Sequence, residues 1–252
     1  MHYTEINAQT IDRWVENGWE WSQPISHEAY SEAKRGKWDV KLTPVKFVPH
    51  SWFGSLEGKS VLGLASGGGQ QMPIFAALGA KCTVLDYSEK MLEQERIVAQ
   101  REGYNISILR ADMTKRLPFD EGSFDLIFHP VSNCYVAEVK PIWQECYRVL
   151  KPGGALLSGF NLEILYAFDE SETTLINTLP FNPLVNEAHA RQLRENDDGM
   201  QFSHTLEELI NGQLEAGFIL TNLYDDTSGT GNLHEHNIAT FMATRAVKAG
   251  CA

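Results

Sequence analysis

The sequence predicts an α/β protein with a doubly wound, mostly parallel sheet, and three observations support that prediction. Apolar segments typical of strands alternate with segments of helical periodicity between residues 58 and 160. The strand segments are almost continuously apolar, which is typical of a sheet that helices cover on both faces. The last two apolar segments follow each other with no helical pattern between them, which indicates an antiparallel hairpin at the sheet edge.

The alternating region contains five strand segments and three helical segments, at a spacing that favours parallel strands joined by right-handed crossovers. Ser88 is the predicted N-cap of the second helix, and Gly103 is its predicted stop. We expect strands at residues 59–65, 81–86, 106–112, 124–128 and 155–160, and helices at residues 70–78, 89–102 and 139–150.

Two segments lie outside this alternating pattern. Residues 1–57 are rich in tryptophan and irregular, so we expect them to form an N-terminal helical or irregular cap on a core domain at 58–252. Residues 161–203 have weak periodicity, and a segment of that length is usually a lid or a substrate-binding insertion. Thr205 is predicted to cap a further helix that ends at Gly217. The closing strands are expected at residues 218–223 and 237–244.

The composition restricts the partners and the location of the protein. The formal net charge is −12 over 252 residues, which argues against a duplex nucleic acid partner and favours a small molecule or a protein. The segment MHYTEINAQT has no apolar signal core, and no apolar run approaches the roughly 20 residues that span a bilayer. We therefore expect a cytoplasmic protein with no membrane partner, and leave open whether it is a monomer or a homodimer. The cysteines are expected to be reduced and mostly buried; they are Cys82, Cys134, Cys146 and Cys251.

Polar signals follow three successive strands. The run VLGLASGGGQQ at 61–71 joins a strand to a helix through a glycine-rich turn, which lets backbone amides approach a ligand. Asp86 ends the second strand and can accept hydrogen bonds from two ribose hydroxyls, and Asp112 ends the third strand, where an adenine amino group can reach it. Purely structural roles, in a turn or at a helix start, stay open for both carboxylates. Because the carboxyl ends of parallel strands share one sheet edge, the pattern predicts a site for an adenosine-containing ligand.

Five motifs in a fixed order carry a family resemblance. They are VLGLASGGG, VLDYSEKML, ADMTKRLPF, SFDLIFHPVSNCYV and ECYRVLKPGGALL. Over about residues 45–160 the chain resembles the class I S-adenosylmethionine-dependent methyltransferases, close to the small-molecule type. The resemblance implies a seven-stranded sheet with a reversed last hairpin, S-adenosyl-L-methionine as cofactor, S-adenosyl-L-homocysteine as product, and an unidentified small-molecule acceptor.

The resemblance also implies roles for individual residues. The glycine-rich turn would surround the methionine half of the cofactor, Asp86 would bind the ribose with Tyr87 beside the adenine, and the residues after the third strand would hold the adenine. The residues after the fourth strand would lie close to the transferred methyl. The candidate cofactor-binding residues are Ala65, Ser66, Gly67, Gly68, Gly69, Gln70, Asp86, Tyr87, Ser88, Ala111, Asp112, Met113, His129 and Pro130.

The chain departs from the family pattern at two positions. Family members often have an acidic residue where this chain has Gly63, and a glycine where it has Ala65. Gly63 removes a carboxylate that helps to hold the amino group of the cofactor or to orient the loop, and Ala65 adds a methyl group where backbone comes close. Gln70 and Gln71 are the candidates for replacement polar contacts.

Methyl transfer from a sulfonium needs little catalytic machinery, since the cofactor carries its own leaving group and the protein supplies mainly alignment and dehydration. A base helps where the acceptor is a hydroxyl or a protonated amine. His129 is the predicted base, because imidazole titrates near neutral pH; a strand-end histidine bonded to backbone is the alternative. Asn133, Tyr135 and Trp38 are the candidate substrate residues, with packing roles open for each.

Some residues invite other functions. His234 and His236 alternate and invite a metal site together with His204, but no ligand number or geometry supports one, so no metal is expected. Three consecutive glycines at 67–69 fit a nicotinamide-binding G-x-G-x-x-G pattern poorly, which disfavours a nicotinamide-dependent oxidoreductase. A non-catalytic S-adenosylmethionine-binding or interaction protein on the same fold remains the main alternative.

Overall fold

Seven strands form one mixed sheet in the computed structural model, which describes residues 2–250. They are β1 (Ser60–Leu64), β2 (Lys81–Asp86), β3 (Ile106–Arg110), β4 (Phe124–His129), β5 (Leu150–Asn161), β6 (Phe218–Asp226) and β7 (Phe241–Lys248). The order across the sheet is β3-β2-β1-β4-β5-β7-β6. Strands β1 to β5 are parallel, and β7 pairs antiparallel with both β5 and β6. The predicted fold class is confirmed.

The helices cover both faces of this sheet and occupy much of the N-terminal segment. Within residues 2–250 the α-helices are α1 (Tyr3–Glu16), α2 (His27–Lys34), α3 (Gln71–Ala77), α4 (Glu89–Glu102), α5 (Lys140–Val149), α6 (Ile164–Ala167), α7 (Glu187–Asn196), α8 (Gly212–Glu215) and α9 (Asn232–Glu235).

Local chemistry explains where the predicted helices begin and end. The Ser88 hydroxyl accepts a hydrogen bond from the amide of Met91 at 3.1 Å, and Gly103 ends α4 in the left-handed region at a φ of 73°. Thr205 and Glu208 form a reciprocal capping box at the start of a π-helix, Glu207–Asn211, which leads into α8. Each side chain accepts a hydrogen bond from the other residue's amide. The predicted caps at Ser88 and Thr205 are therefore confirmed.

Three strand predictions need correction. Strand β5 begins at Leu150, before the predicted start at residue 155, and so includes the Pro-Gly-Gly sequence at 152–154. The last strand begins at Phe241 rather than 237, because Asn237 adopts a left-handed φ of 55° that an extended strand does not allow. The short helix α9 separates β6 from β7, so the expected direct hairpin connection is wrong, although the two strands do pair antiparallel.

Residues of the N-terminal segment pack into the main core together with residues of the sheet domain. Leu42 and Trp52 pack in the same buried cluster as Phe75 and Phe128, which come from a helix and a strand of the sheet domain. The backbone of this segment comes so close to β5 that a Cβ on Gly159 would overlap the carbonyl of Leu42. A side chain at position 159 is therefore excluded, and residues 40–43 are held against the carboxyl half of β5.

Two further expectations from the composition concern the state of the cysteines and the presence of membrane-spanning helices. Cys82, Cys134 and Cys146 are buried and free, as predicted, and Cys251 lies outside the described residues. Between residues 2 and 250 no helix combines the length and the apolar composition that crossing a membrane requires.

Candidate functional site

A cavity of about 1090 Å³ opens at the carboxyl edge of the sheet, where the sequence predicted the ligand site. Eleven of the fourteen predicted cofactor-binding residues line it, and so do Trp38 and Tyr135 from the predicted substrate set. Gly68, Gly69, His129 and Asn133 do not. The eleven lining residues are Ala65, Ser66, Gly67, Gln70, Asp86, Tyr87, Ser88, Ala111, Asp112, Met113 and Pro130.

The first half of the glycine-rich turn is shaped by its approach to Asp86. The amide of Gly67 donates to Oδ2 of Asp86 at 3.0 Å, and a Cβ on Gly67 would lie 2.7 Å from the Cβ of Met91. Glycine is therefore required at position 67. Ala65 occupies the left-handed region at a φ of 47°, a conformation that costs an L-residue about 1–2 kcal/mol. The turn thus adopts the glycine-like backbone of the family pattern even where it carries alanine.

The second half of the turn faces helix α4 rather than the cavity. The amide of Gly68 donates to the carbonyl of Met91 at 2.9 Å, and that of Gly69 donates to Oε1 of Glu95 at 2.8 Å. Glu95 is fully buried, and its Oε2 has no partner among the described residues. Burial raises the pKa of Glu95 to about 8. These two glycines therefore hold the turn against α4, while residues 65–67 and 70 line the cavity.

Asp86 is positioned by amides on both of its oxygens. Besides Gly67, the amide of Ser88 donates to Oδ1 at 3.0 Å, and only 8% of the residue is exposed. Burial raises the pKa of Asp86, whereas the hydrogen bonds from Ser88 and Gly67 lower it. Each carboxylate oxygen has a further lone pair, so the group can still accept from a vicinal diol in the cavity.

Asp112 is fixed through one oxygen only. Its Oδ1 accepts from the amide of Thr114 at 2.9 Å and from the Thr114 hydroxyl at 2.7 Å. The other oxygen, Oδ2, has no hydrogen-bond partner among residues 2–250, and the residue lines the cavity. This free oxygen just after β3 can accept a hydrogen bond from an exocyclic amine of a ligand. Asp86 and Asp112 therefore face one common cavity from neighbouring strands.

The two departures from the family pattern have structural counterparts. A Cβ on Gly63 would lie 2.7 Å from Sδ of Met72, which is fully buried, so a larger residue at 63 does not fit beside this methionine. Ser66 donates to Oε1 of Gln71 at 3.1 Å, and Nε2 of Gln70 donates to the carbonyl of Gln23 at 3.1 Å. Gln70 thereby connects the turn to the N-terminal segment, and Gln71 braces the turn itself; their contact with a cofactor stays a prediction.

Comparisons with known proteins agree with this geometry. A family model described as a methyltransferase domain matches residues 62–158. The chain is 42% identical over 249 residues to the uncharacterized methyltransferase YbaJ of Bacillus subtilis (strain 168), covering 96% of this chain and 97% of that protein. It is 30% identical over 210 residues to the demethylmenaquinone methyltransferase of Lactococcus lactis subsp. lactis (strain IL1403), with 77% of each chain covered.

The chain belongs to the class I S-adenosylmethionine-dependent methyltransferases. A solved structure of an S-adenosylmethionine-dependent methyltransferase from Mesorhizobium loti superposes with a TM-score of 0.64 at 20% identity, covering 78% of this chain and 94% of that one. The cofactor of this methyltransferase is S-adenosylmethionine. The residues fit it, because a buried carboxylate, a free carboxylate oxygen and a turn that excludes a Cβ at Gly67 meet in one cavity.

His129 does not line the cavity of this methyltransferase. It is fully buried, its Nδ1 lies 2.8 Å from the carbonyl oxygen of Leu64, and its Nε2 lies 2.9 Å from Oδ1 of Asn133. Burial lowers the pKa of His129, so the ring is neutral at neutral pH. The ring joins β1 to the segment after β4, and both of its nitrogens are engaged with protein atoms.

The histidines that invited a metal site are not brought together. His234 lies in the short helix α9, with its Nδ1 2.7 Å from the Thr227 hydroxyl, and not on a strand. His204 is buried against the carbonyls of Asn133 and Val136. Within the part of the chain that the structure describes, no group of three or more histidine, cysteine or acidic side chains has metal-binding geometry.

The structure adds polar residues to the cavity wall that the sequence did not single out. Asn7 comes from α1, Asn161 from the end of β5, and Gln201 from the segment that follows α7. Asn161 could have been found by the rule that located Asp86, because it also ends a parallel strand. Asn7 and Gln201 have no such signal, since only the tertiary fold brings their segments to the sheet edge.

Proposed function

We propose that this methyltransferase transfers the methyl group of S-adenosylmethionine to a small molecule with a largely apolar body. The supporting observation is one continuous cavity whose wall combines the cofactor candidates with apolar side chains of the N-terminal segment. A volume of about 1090 Å³ accommodates a cofactor and a second organic molecule side by side. The larger apolar residues that the N-terminal segment contributes include Trp19, Trp21, Trp38, Val40, Leu42 and Phe47.

The proposed cofactor contacts follow the order of the strands. Asp86 would accept from the ribose hydroxyls, Asp112 and Met113 would hold the adenine, and residues 65–67 would surround the methionine half. When bound, the cofactor supplies an activated methyl group on a sulfonium. The protein then contributes alignment of the acceptor and exclusion of water, because displacement at a sulfonium needs no covalent help from a side chain.

A small-molecule acceptor is supported by both charge and enclosure. The net charge of −12 disfavours polyanionic partners. The relative from Lactococcus lactis is named for demethylmenaquinone, a small molecule. The wall formed by the N-terminal segment restricts access for a folded macromolecule, while an organic molecule of cofactor size fits beneath it.

The role of His129 as the general base stays a prediction, and it would require a local rearrangement. The Asn133 side chain has to move before Nε2 of His129 reaches a group in the cavity. As it stands, the neutral ring holds the segment after β4 in place, which makes it a positioning residue. The methyl-transfer rate of His129→Ala at saturating cofactor distinguishes the roles, because only loss of a base changes the pH profile of that rate.

The proposed function is tested first by cofactor binding. Isothermal titration with S-adenosylhomocysteine is expected to show binding that Asp86→Ala weakens by about 10²-fold or more, since two hydrogen bonds to a charged group are lost. Asp120→Ala is the matched control, because Asp120 is an exposed aspartate. Binding of NAD in place of S-adenosylhomocysteine, or equal binding by Asp86→Ala, contradicts the proposal.

Catalysis is tested with radiolabelled S-adenosylmethionine and fractionated small-molecule extracts. We expect label to enter an organic-soluble fraction with the wild-type protein and not with Asp86→Ala. Cofactor binding without transfer to any small-molecule or protein fraction would support the alternative of a non-catalytic binding protein.

A further inference from the structure

A partly buried row of hydrogen bonds ends at the cavity wall beside the last parallel strand. Nδ2 of Asn161 donates to the hydroxyl of Tyr166 at 2.8 Å, and that hydroxyl donates to Oε1 of Gln201 at 2.9 Å. Nε2 of Gln201 donates to the carbonyl of Asp198 at 3.0 Å. Three side chains from one segment of the chain are thereby linked in a row that ends at Asn161.

The Asp198 carbonyl determines which atoms donate and which accept along this row of hydrogen bonds. The Asp198 carbonyl can only accept, so the amide nitrogen of Gln201 must face it and Oε1 must face Tyr166. A tyrosine hydroxyl has one proton, which goes to Gln201, and it therefore accepts from Asn161. Asn161 is left with its nitrogen engaged and its Oδ1 without a partner among residues 2–250, although only 9% of the residue is exposed.

The position of Asn161 separates it from the cofactor candidates. Asn161 ends β5, whereas the adenosine candidates lie at the ends of β2 and β3 on the other side of β1. Two strand spacings separate β5 from β1, which is about 10 Å. Asn161 also lines the cavity, as do its neighbours Leu165 and Phe241, both apolar. Asn161, with its unpaired oxygen, therefore lies at the part of the cavity that is left for the acceptor.

We propose that Oδ1 of Asn161 accepts a hydrogen bond from an O–H or N–H group of the methyl acceptor, and so selects acceptors that carry such a donor. This inference rests on the proposed function, because it assigns the β5 side of the cavity to the acceptor. An unpaired acceptor on a side chain that is nine-tenths buried, beside Leu165 and Phe241, discriminates strongly, since a ligand without a donor leaves it unpaired. Tyr166 and Gln201 are positioning residues that keep the amide of Asn161 from turning.

The test uses pairs of probes that differ in the donor alone. NMR titration of protein saturated with S-adenosylhomocysteine gives the dissociation constant of each probe. One pair is 2-naphthol and 2-methoxynaphthalene, and the other is indole and 1-methylindole. We expect the wild-type protein to prefer the donor-bearing member of at least one pair by about tenfold or more. Asn161→Ala is expected to bring that ratio to within about twofold of one, and Asn222→Ala, an exposed asparagine on β6, to leave it unchanged.

The variant Tyr166→Phe tests the positioning part of the proposal. It removes the acceptor that holds the Asn161 nitrogen, so the amide can turn and the donor preference is expected to fall about threefold or more. A merely structural role would weaken both members of a pair equally and leave the ratio unchanged. Thermal melts of each variant with and without S-adenosylhomocysteine show whether the fold is intact.

The outcomes separate the two proposals. Absence of S-adenosylhomocysteine binding in the wild-type protein overturns the proposed function and this inference with it. If S-adenosylhomocysteine binds but no donor-bearing probe does, or the ratio stays near one, or Asn161→Ala keeps the preference, the assignment of Asn161 alone is overturned.

Discussion

The two sides of the cavity are built in different ways. The proposed cofactor side consists of the ends of β1, β2 and β3, where Gly67 reaches Asp86 across 19 positions, although Gln70 and Ser88 also bond to the N-terminal segment. The acceptor side consists of the N-terminal segment, the residues after β4, and the segment 161–203. There, Asn7 donates to the carbonyls of Tyr135 and Met200, which are 128 and 193 positions away.

This difference separates what the fold class supplies from what this chain adds. Strand ends in a parallel sheet place Asp86 and Asp112 together as soon as the sheet forms, so the cofactor side is a consequence of the topology. The acceptor side depends on long-range hydrogen bonds between segments with little sheet structure of their own. We infer that cofactor binding and acceptor selection can be perturbed separately.

The largest effect on stability is expected from Asn7→Ala. Asn7 is buried, and besides its two donated bonds its Oδ1 accepts from the amide of Met200 at 2.6 Å. Loss of this side chain leaves three backbone groups unpaired, so the free energy of unfolding should fall by about 2–4 kcal/mol, as measured by urea denaturation. Gln9→Ala on the exposed face of the same helix is the control.

Asn7→Ala also tests whether cofactor binding depends on the acceptor side of the cavity. S-adenosylhomocysteine should bind Asn7→Ala far better than it binds Asp86→Ala, because the strand ends are untouched. Equal loss of affinity in the two variants would show that the acceptor side is required for cofactor binding and would remove the distinction.

The sequence could predict the proposed cofactor side because its signals are local. The turn at 61–71, Asp86 and Asp112 each follow an apolar strand, and one rule about parallel sheets joins them. Nothing local distinguishes Asn7 from any other helical asparagine, since its three partners lie in other parts of the chain. Position in the sequence therefore predicts the first kind of site and not the second.

His129 and the last strand show where pattern reading stops. A histidine after an apolar strand has the same pattern whether it faces the cavity or the sheet, and only the structure shows its two nitrogens engaged with Leu64 and Asn133. The apolar residues at 238 and 239 extended the predicted last strand, while the left-handed backbone at Asn237 delays its start to Phe241.

A smaller and pH-dependent effect is expected from Glu95→Gln beneath the glycine-rich turn. The pKa of Glu95 is about 8 in the folded protein against an ordinary value of 4.5, so the folded state holds the extra proton between these values. Its contribution to stability is therefore full below pH 4.5 and is lost as the pH rises through 8. The amide side chain of the variant cannot ionise, and its oxygen can still accept from Gly69.

The measurement is urea denaturation at pH 5, 7 and 9. The variant should match the wild-type protein at pH 5 and exceed its free energy of unfolding by about 1–3 kcal/mol at pH 9, because no buried charge forms. Glu93→Gln on the same helix, where the side chain is 46% exposed, is the control and should show no such divergence. Parallel pH profiles for wild type and Glu95→Gln would contradict a buried proton at this position.

The smallest effect is expected from Ala65→Gly, which restores the family residue in the turn. Glycine removes the left-handed strain at a φ of 47° but adds freedom to the unfolded chain, so the free energy of unfolding should rise by less than about 1 kcal/mol. Ala111→Gly is the matched control, because Ala111 also lines the cavity after a strand but has no positive φ. In Ala111→Gly only the conformational entropy of the unfolded chain changes, so the free energy of unfolding should fall by up to about 1 kcal/mol. Opposite signs for the two variants in urea denaturation would locate the strain at Ala65, whereas equal losses would show that the surrounding contacts relieve it.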